Sequence, residues 1–201
     1  MMITDGTQTA TRDRILQAAQ QLFHARSYDS VSVSDICQAA QTVKGSFYHH
    51  FPSKEAVALE VIDATLAAGQ EMIMGCMSPD TSPLNRLRDS ILAFSQVLQG
   101  EAPDGKMLGC PIGRLASELG PRNEAVRERI ARAFRGMQAL FSSCFAEASV
   151  ANPDLAGAHL LSALQGMAIL GLTLRDLELV QQLAITAVPA AIAAAKAFDA
   201  G

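Results

Sequence analysis

Apolar residues recur along this chain with the three-and-four spacing of helices, and read in order they predict about nine of them. Ile15, Ala18, Ala19, Leu22 and Phe23 mark the inward face of a first helix over residues 11–27, after a polar, unpatterned stretch at 1–10 expected to be a flexible arm. Val33, Ile36, Cys37 and Ala40 share one face of a short second helix, and Ser32 followed by Asp35 has the form of a capping box at its start. After a turn of about three residues, Phe47 and Phe51 form a thin apolar stripe on a third short helix. A long fourth helix is predicted from Ser53, its cap, to about Gly75, with Glu55 in the first turn complementing the helix dipole. Ser82-Pro83 opens a fifth helix and Cys110-Pro111 a short sixth that stops at Gly120-Pro121. A seventh runs to about Glu147, Asn152-Pro153 is the expected cap of an eighth, and Asp176 the expected cap of a ninth.

The second and third helices carry the first functional information. Two short helices joined by a tight turn, the second with a buried stripe and an outer face of Lys44, Ser46, Tyr48, His49 and His50, form a helix-turn-helix. A helix of that kind fits the DNA major groove, where donors reach phosphates and base edges. In that docking Tyr48 and Lys54 are expected at phosphates, and Lys44, Ser46 and His49 at base edges. Ser32 and Ser34 are expected at the DNA backbone, with Gly45 and His50 completing the surface.

Four separated segments carry a resemblance: Arg14-Ile15-Leu16-Gln17-Ala18-Ala19 with Leu22-Phe23, Val33-Ser34-Asp35-Ile36, Lys44-Gly45-Ser46-Phe47-Tyr48-His49-His50-Phe51, and Pro52-Ser53-Lys54-Glu55-Ala56. Together, over residues 11–62, they resemble the N-terminal domain of TetR-family transcriptional regulators. The resemblance implies an all-α protein: a three-helix helix-turn-helix domain over residues 1–52, then a helical effector-binding and dimerisation domain over 53–201. It also implies a double-stranded DNA operator, a small-molecule effector and a homodimer as partners. The chain departs from the family at the turn, where Gln41-Thr42-Val43 replaces the usual Gly-Val-Ser. Gln in a left-handed conformation costs about 1 kcal/mol. Val43 is a poor cap, and Thr42 can serve instead if the helix starts one residue early.

Composition narrows the picture. At 201 residues, 49% hydrophobic and without Trp, the chain has enough Leu, Ala, Ile, Val and Met for packed helices. It has no run of about 18 uninterrupted apolar residues, and its first residues lack the pattern of a secretion signal. A cytoplasmic protein without a membrane partner is expected. Net charge is −4, but residues 1–54 hold five Lys/Arg against four Asp/Glu, so only that end suits a polyanion. So few cations imply that useful DNA affinity needs two subunits together. The scattered Cys37, Cys76, Cys110 and Cys144 suggest neither a zinc site nor a disulfide, and no metal or cofactor is expected.

The last two helices are apolar beyond one face. Leu160, Leu164, Met167, Val180, Ala184, Val188 and Ala191 either bury within their own subunit or also build a two-fold dimer, and TetR relatives commonly dimerise through their last two long helices. Methionines on several helices, Met72, Met107, Met137 and Met167 among them, can surround an apolar effector or simply fill a core. Arg114 and Gln138 are candidates for orienting such a ligand.

Residues 107–119 look like the Gly-Cys-containing sixth helix of a TetR subgroup that includes regulators of drug and flavonoid responses and some electrophile sensors. Cys110 at a helix start, with Arg114 one turn on, favours the thiolate. The alternatives are a structural thiol or a thiol-based, electrophile-sensing repressor. An all-helical enzyme is the remaining alternative, but metal-binding His motifs, phosphate loops and nucleophile-elbow spacing are absent from the sequence.

Overall fold

Two helices of the N-terminal region open on a serine side chain that accepts a free N–H group, and the helix between them is an exception that matters. The computed structural model describes residues 5–99 and 109–199, and among these the chain is helical without a strand. Helix α1 spans Asp5–Ala25, a 3-10 turn Tyr28–Ser30, α2 Val33–Ala39, α3 Lys44–His50 and α4 Lys54–Gly75. The body follows with α5 Pro83–Gln99, α6 Pro111–Leu119, α7 Glu124–Glu147, α8 Pro153–Leu174 and α9 Leu177–Asp199. The arm expected at residues 1–10 is thus helical from Asp5 onward. Once a helix is nucleated, each further residue adds one hydrogen bond, so it can extend past the end of its apolar pattern.

The capping box at α2 is formed. Ser32 Oγ accepts from the Asp35 N–H at 3.1 Å, and the Asp35 carboxylate accepts from the Ser32 N–H at 2.7 Å. Hydrogen bonds from the Ser32 hydroxyl and backbone hold the Asp35 carboxyl below its usual range. Ser53 caps α4 through the Ala56 N–H, Asn123 caps α7 through Val126, and Asp176 caps α9 through Leu179. Asn152 opens α8 in the left-handed region at φ 49° and makes no side-chain cap bond there.

The exception is α3. Val43 is its N-cap residue and no side chain caps it, so Thr42 does not take that role. Gln41 sits at φ 51°, the left-handed conformation expected where glycine is usual. The turn angle survives because Phe47 and Phe51 are fully buried beneath α3 and fix its position from below.

Two apolar cores organise the chain. The first gathers Ile15, Phe23, Ile36, Phe47, Phe51 and Ile62 with residues far along the sequence, Leu115 and Leu119 of α6 and Val126 and Ile130 of α7. The second joins the end of α4 to α5, α7, α8 and α9 through side chains such as Ile73, Leu87, Phe141, Phe145, Leu160 and Val180. Gly157 lets α8 press on α7. A Cβ there would stand 2.5 Å from Ser142 Oγ and 2.9 Å from the Gln138 carbonyl oxygen. Helices α8 and α9 are long and apolar enough to cross a membrane by length and composition, yet each also buries a face in this second core.

Gln41→Gly is expected to raise the unfolding free energy, by up to about 1 kcal/mol, because the strain relieved exceeds the added entropy of the unfolded chain. Gln41→Val is expected to lower it, since a β-branched residue tolerates positive φ worst. Chemical denaturation of the two variants checks the sign of both.

Candidate nucleic-acid interface and adjoining groove

With Phe47 locked inward, the opposite side of α3 faces outward. Lys44, Gly45, Tyr48 and His49 are exposed, while Ser46 and His50 are half-buried. The rings of Phe47 and Tyr48 meet edge-on at 5.3 Å, and His49 and His50 do so at 5.0 Å. These contacts limit the freedom of the outward side chains before any partner arrives. A Cβ on Gly45 would meet nothing within 4 Å, so this turn of α3 leaves room for close approach. Ser34 is exposed at the start of α2, whereas the Ser32 hydroxyl already donates to Asp35 Oδ2 at 2.6 Å.

Val43 was not anticipated at this surface. It is 70% exposed at the leading end of α3, a large aliphatic side chain in an otherwise polar surround. Its sequence position suggested only a poor cap, and that weakness is the signal that could have flagged it.

Lys54 departs from expectation. Its Nζ donates to the carbonyls of Tyr28 and Val31, both at 2.9 Å, and lies 4.0 Å from the Tyr28 ring centroid. Two of three ammonium donors are therefore engaged within the chain, and Lys54 fastens the 3-10 turn to α4 instead of standing free for a phosphate. Arg14 likewise ties α1 to α2 through the Ala40 carbonyl at 3.3 Å. Arg12 pairs with Glu60 and stacks over Phe51 at 5.1 Å.

Helix α6 is clamped to the back of the head. Arg114 donates to the His24 carbonyl at 2.8 Å, Glu118 accepts the Tyr28 N–H at 2.6 Å, and Arg122 forms a two-pronged pair with Asp29 at 2.8 and 2.9 Å. Arg114 also lies 3.4 Å from Glu118, so its guanidinium is committed to these partners and not to the Cys110 thiol as expected. Cys110 itself is the N-cap residue of α6; its Sγ accepts the Gly113 N–H at 3.4 Å, and the side chain touches both cores.

The expected effector residues do not converge. Met167 is buried in the second core, Met72 packs against its edge, and Gln138 reaches the Asp154 carbonyl at 3.5 Å. Met107 lies outside the described residues. Gln138 lines a pocket of about 460 Å³ at the start of α8, and Met137 lines a separate groove of about 600 Å³ between α4 and α7. Leu66, Ile73, Met74 and Leu140 share its lining, with Asp63, Arg129 and Arg132. Its two walls are helices whose apolar periodicity reads as core, so the sequence did not announce it.

The expected subunit face is also corrected. Leu160, Leu164, Met167, Val180, Ala184, Val188 and Ala191 are all buried within the single chain, none more than 6% exposed. The outward apolar side chains of the same helices are Ile169, Leu170, Leu172, Leu174, Leu177, Ile185 and Phe198.

His24 gives this region a pH dependence. Burial lowers its pKa from the ordinary 6.5, the nearby Arg114 lowers it further, and its contact with the Gly109 carbonyl at 3.2 Å opposes them. The unfolded chain then binds more protons than the folded one just below pH 6.5, so stability falls as pH drops through that window. His24→Gln is expected to flatten that part of the stability–pH curve; identical slopes in both proteins from about pH 7 to 5 would contradict the linkage.

Comparison with known proteins agrees with this geometry. Residues 15–61 match the family model for bacterial regulatory proteins of the tetR family, and residues 83–185 match the C-terminal domain of LmrA/YxaF-like transcriptional regulators. The chain is 31% identical over 166 residues to the HTH-type transcriptional repressor DhaR of a Mycobacterium species, covering 79% of this chain and 80% of that one. It is 31% identical over 137 residues to the repressor NemR of Escherichia coli, covering 68% and 67%. The crystal structure of a TetR-family regulator from Streptomyces coelicolor superposes with a TM-score of 0.82 over 93% of this chain and 96% of that one, at 20% identity.

Proposed function

This chain belongs to the TetR family of DNA-binding transcriptional regulators, and from that premise we propose that it is a homodimeric repressor of a palindromic operator, released by a small effector. The observation that carries the reading is α3 itself, a helix pinned by buried Phe47 and Phe51 whose outer side presents Lys44, Ser46, Tyr48 and His49. Two subunits would set two such helices in successive major grooves of one DNA face. Such a protein acts in the cytoplasm, where its operator lies. The apolar groove beside α4 is the effector site. A ligand there can release DNA only by binding the released conformation more tightly, and α4 runs from the groove to the head.

Within this docking, Lys44, Ser46 and His49 reach base edges, while Tyr48, His50 and Ser34 contact the backbone. Ser32 acts mainly by holding α2, and Gly45 lets the helix approach closely. Val43 is placed to meet a thymine methyl, the apolar feature of the major groove. Lys44→Ala should cost about 1–3 kcal/mol of operator binding if its contact is bidentate, with no change in unfolding midpoint. Lys54→Ala should instead lower the midpoint. The measurement is a gel shift on DNA flanking the protein's own gene, and a Lys44/Tyr48 double alanine variant that binds like wild type would refute the docking. Replacing operator thymines by deoxyuridine should weaken wild type at one position or more and leave Val43→Ala indifferent there.

The dimer is built on the outward sides of α8 and α9. Of eleven large exposed apolar side chains among the described residues, seven lie on these two helices, the mark of a surface that meets a partner. Ile185→Asp and Ile169→Glu change side chains that are 62% and 64% exposed, so the subunit should fold normally while assembly fails. Operator affinity should fall with it, because each head offers few cations. A variant that sediments as a monomer yet protects both half-sites at wild-type affinity would contradict this.

A further inference from the structure

The groove between α4 and α7 has a polarity along its length. At one end Asp63 of α4 meets Arg129 of α7 at 3.1 Å, and Arg132 lies one turn further along α7. At the other end the lining is Ile73, Met74, Met137 and Leu140. From Asp63 to Met74 the α4 wall is roughly 16 Å long at the helical rise. The volume of about 600 Å³ suits one small molecule.

The charges at the polar end do not balance. The lining contains two guanidinium groups and one carboxylate, and Arg132 has no ion-pair partner among the described residues. The Asp63–Arg129 pair is half-exposed, with side chains 52% and 38% accessible, and pairs of that kind contribute little stability. A planar guanidinium beside an apolar trough binds a carboxylate through two parallel hydrogen bonds while the trough takes an aliphatic tail.

Resting on the effector reading above, we propose that this groove binds an aliphatic carboxylate, its tail along Ile73, Met74, Met137 and Leu140 and its carboxylate on Arg132 and Arg129. The ligand's carboxylate then competes with Asp63 for Arg129. Among the described residues Asp63–Arg129 is the ion pair that joins α4 to α7. Exchanging it for a bond to the ligand loosens α4 from α7 on the side nearest the head, which ties occupancy to the setting of α3.

Decanoate, 1-decanol and decylamine are the probes, titrated calorimetrically into the full-length protein at equal concentration. Decanoate is expected to saturate one site per chain and to bind roughly tenfold or more tightly than 1-decanol, the difference a charge-assisted hydrogen bond makes. Decylamine should bind least well. Arg132→Gln should reduce decanoate to the level of 1-decanol. Gly136 lines the groove, and a Cβ there meets nothing within 4 Å, so Gly136→Leu should fill space without disturbing the helix and remove binding of both probes. A thermal melt of each variant confirms that it is folded. Equal affinity for decanoate and 1-decanol, or decanoate affinity unchanged by Arg132→Gln, or binding that survives Gly136→Leu, would overturn the assignment. A gel shift run in parallel separates the two readings. Operator retained without saturable decanoate binding defeats this inference alone, whereas decanoate bound by a protein that never retains DNA defeats the regulator reading and leaves the site standing.

Discussion

The apolar core beneath α3 does not end with the head but continues into the body. Phe47 and Phe51 pack directly on α1 and α2, and the cluster they join runs on beyond those helices. The same cluster is completed by Val57, Val61 and Ile62 of α4, by Ile112, Leu115 and Leu119 of α6, and by Val126 and Ile130 of α7. Burial of side chains this size contributes about 1.5–3 kcal/mol each, so the head draws much of its stability from residues that follow it by sixty positions or more. The polar contacts run the same way. Arg114, Glu118 and Arg122 each reach back to α1 or to the 3-10 turn, the first through a carbonyl in the last turn of α1 and the second through the N–H that opens the 3-10 turn.

That shared core is the physical route on which the proposed effector response depends. A separate head on a linker could not sense a groove in the body. Here α4 contributes to both cores, α7 opens in the first and continues into the second, and α6 packs into the first while its N-cap residue Cys110 touches both. A change in how α4 and α7 lie against each other therefore reaches α3 through packed side chains, which shift between discrete arrangements more readily than they deform. Lys54 takes part in this, since its bonds to the Tyr28 and Val31 carbonyls fix the start of α4 against the head.

Local chemistry was legible in the sequence and long-range pairing was not. The Ser32/Asp35 capping box, the Ser53 and Asp176 caps, the Phe47/Phe51 stripe and the proline-led starts of α5, α6 and α8 follow from residues within one or two turns of each other. The left-handed Gln41 was also legible, because a helix-turn-helix turn of this length requires it. Lys54 misled because its type and place suit a phosphate, while its partners lie more than twenty residues away. The faces of α8 and α9 misled for a different reason. Both helices are apolar around most of their circumference, so periodicity could not separate the side turned to the core from the side turned outward. The groove was hidden because its lining alternates core-like Leu66, Ile73 and Leu140 with arginines that read as an ordinary solvated face.

Native-state hydrogen exchange on Leu115→Ala tests the shared core most directly. Leu115 lies on α6, outside the helix-turn-helix, and is 2% exposed. Removing its side chain should cost about 2–5 kcal/mol. If one core supports head and body together, amide protection in α1 and α3 should fall along with that in α6. Protection lost in α6 while the amides of Phe47 and Phe51 exchange as in wild type would show that the head stands alone, and the account of coupling would fail.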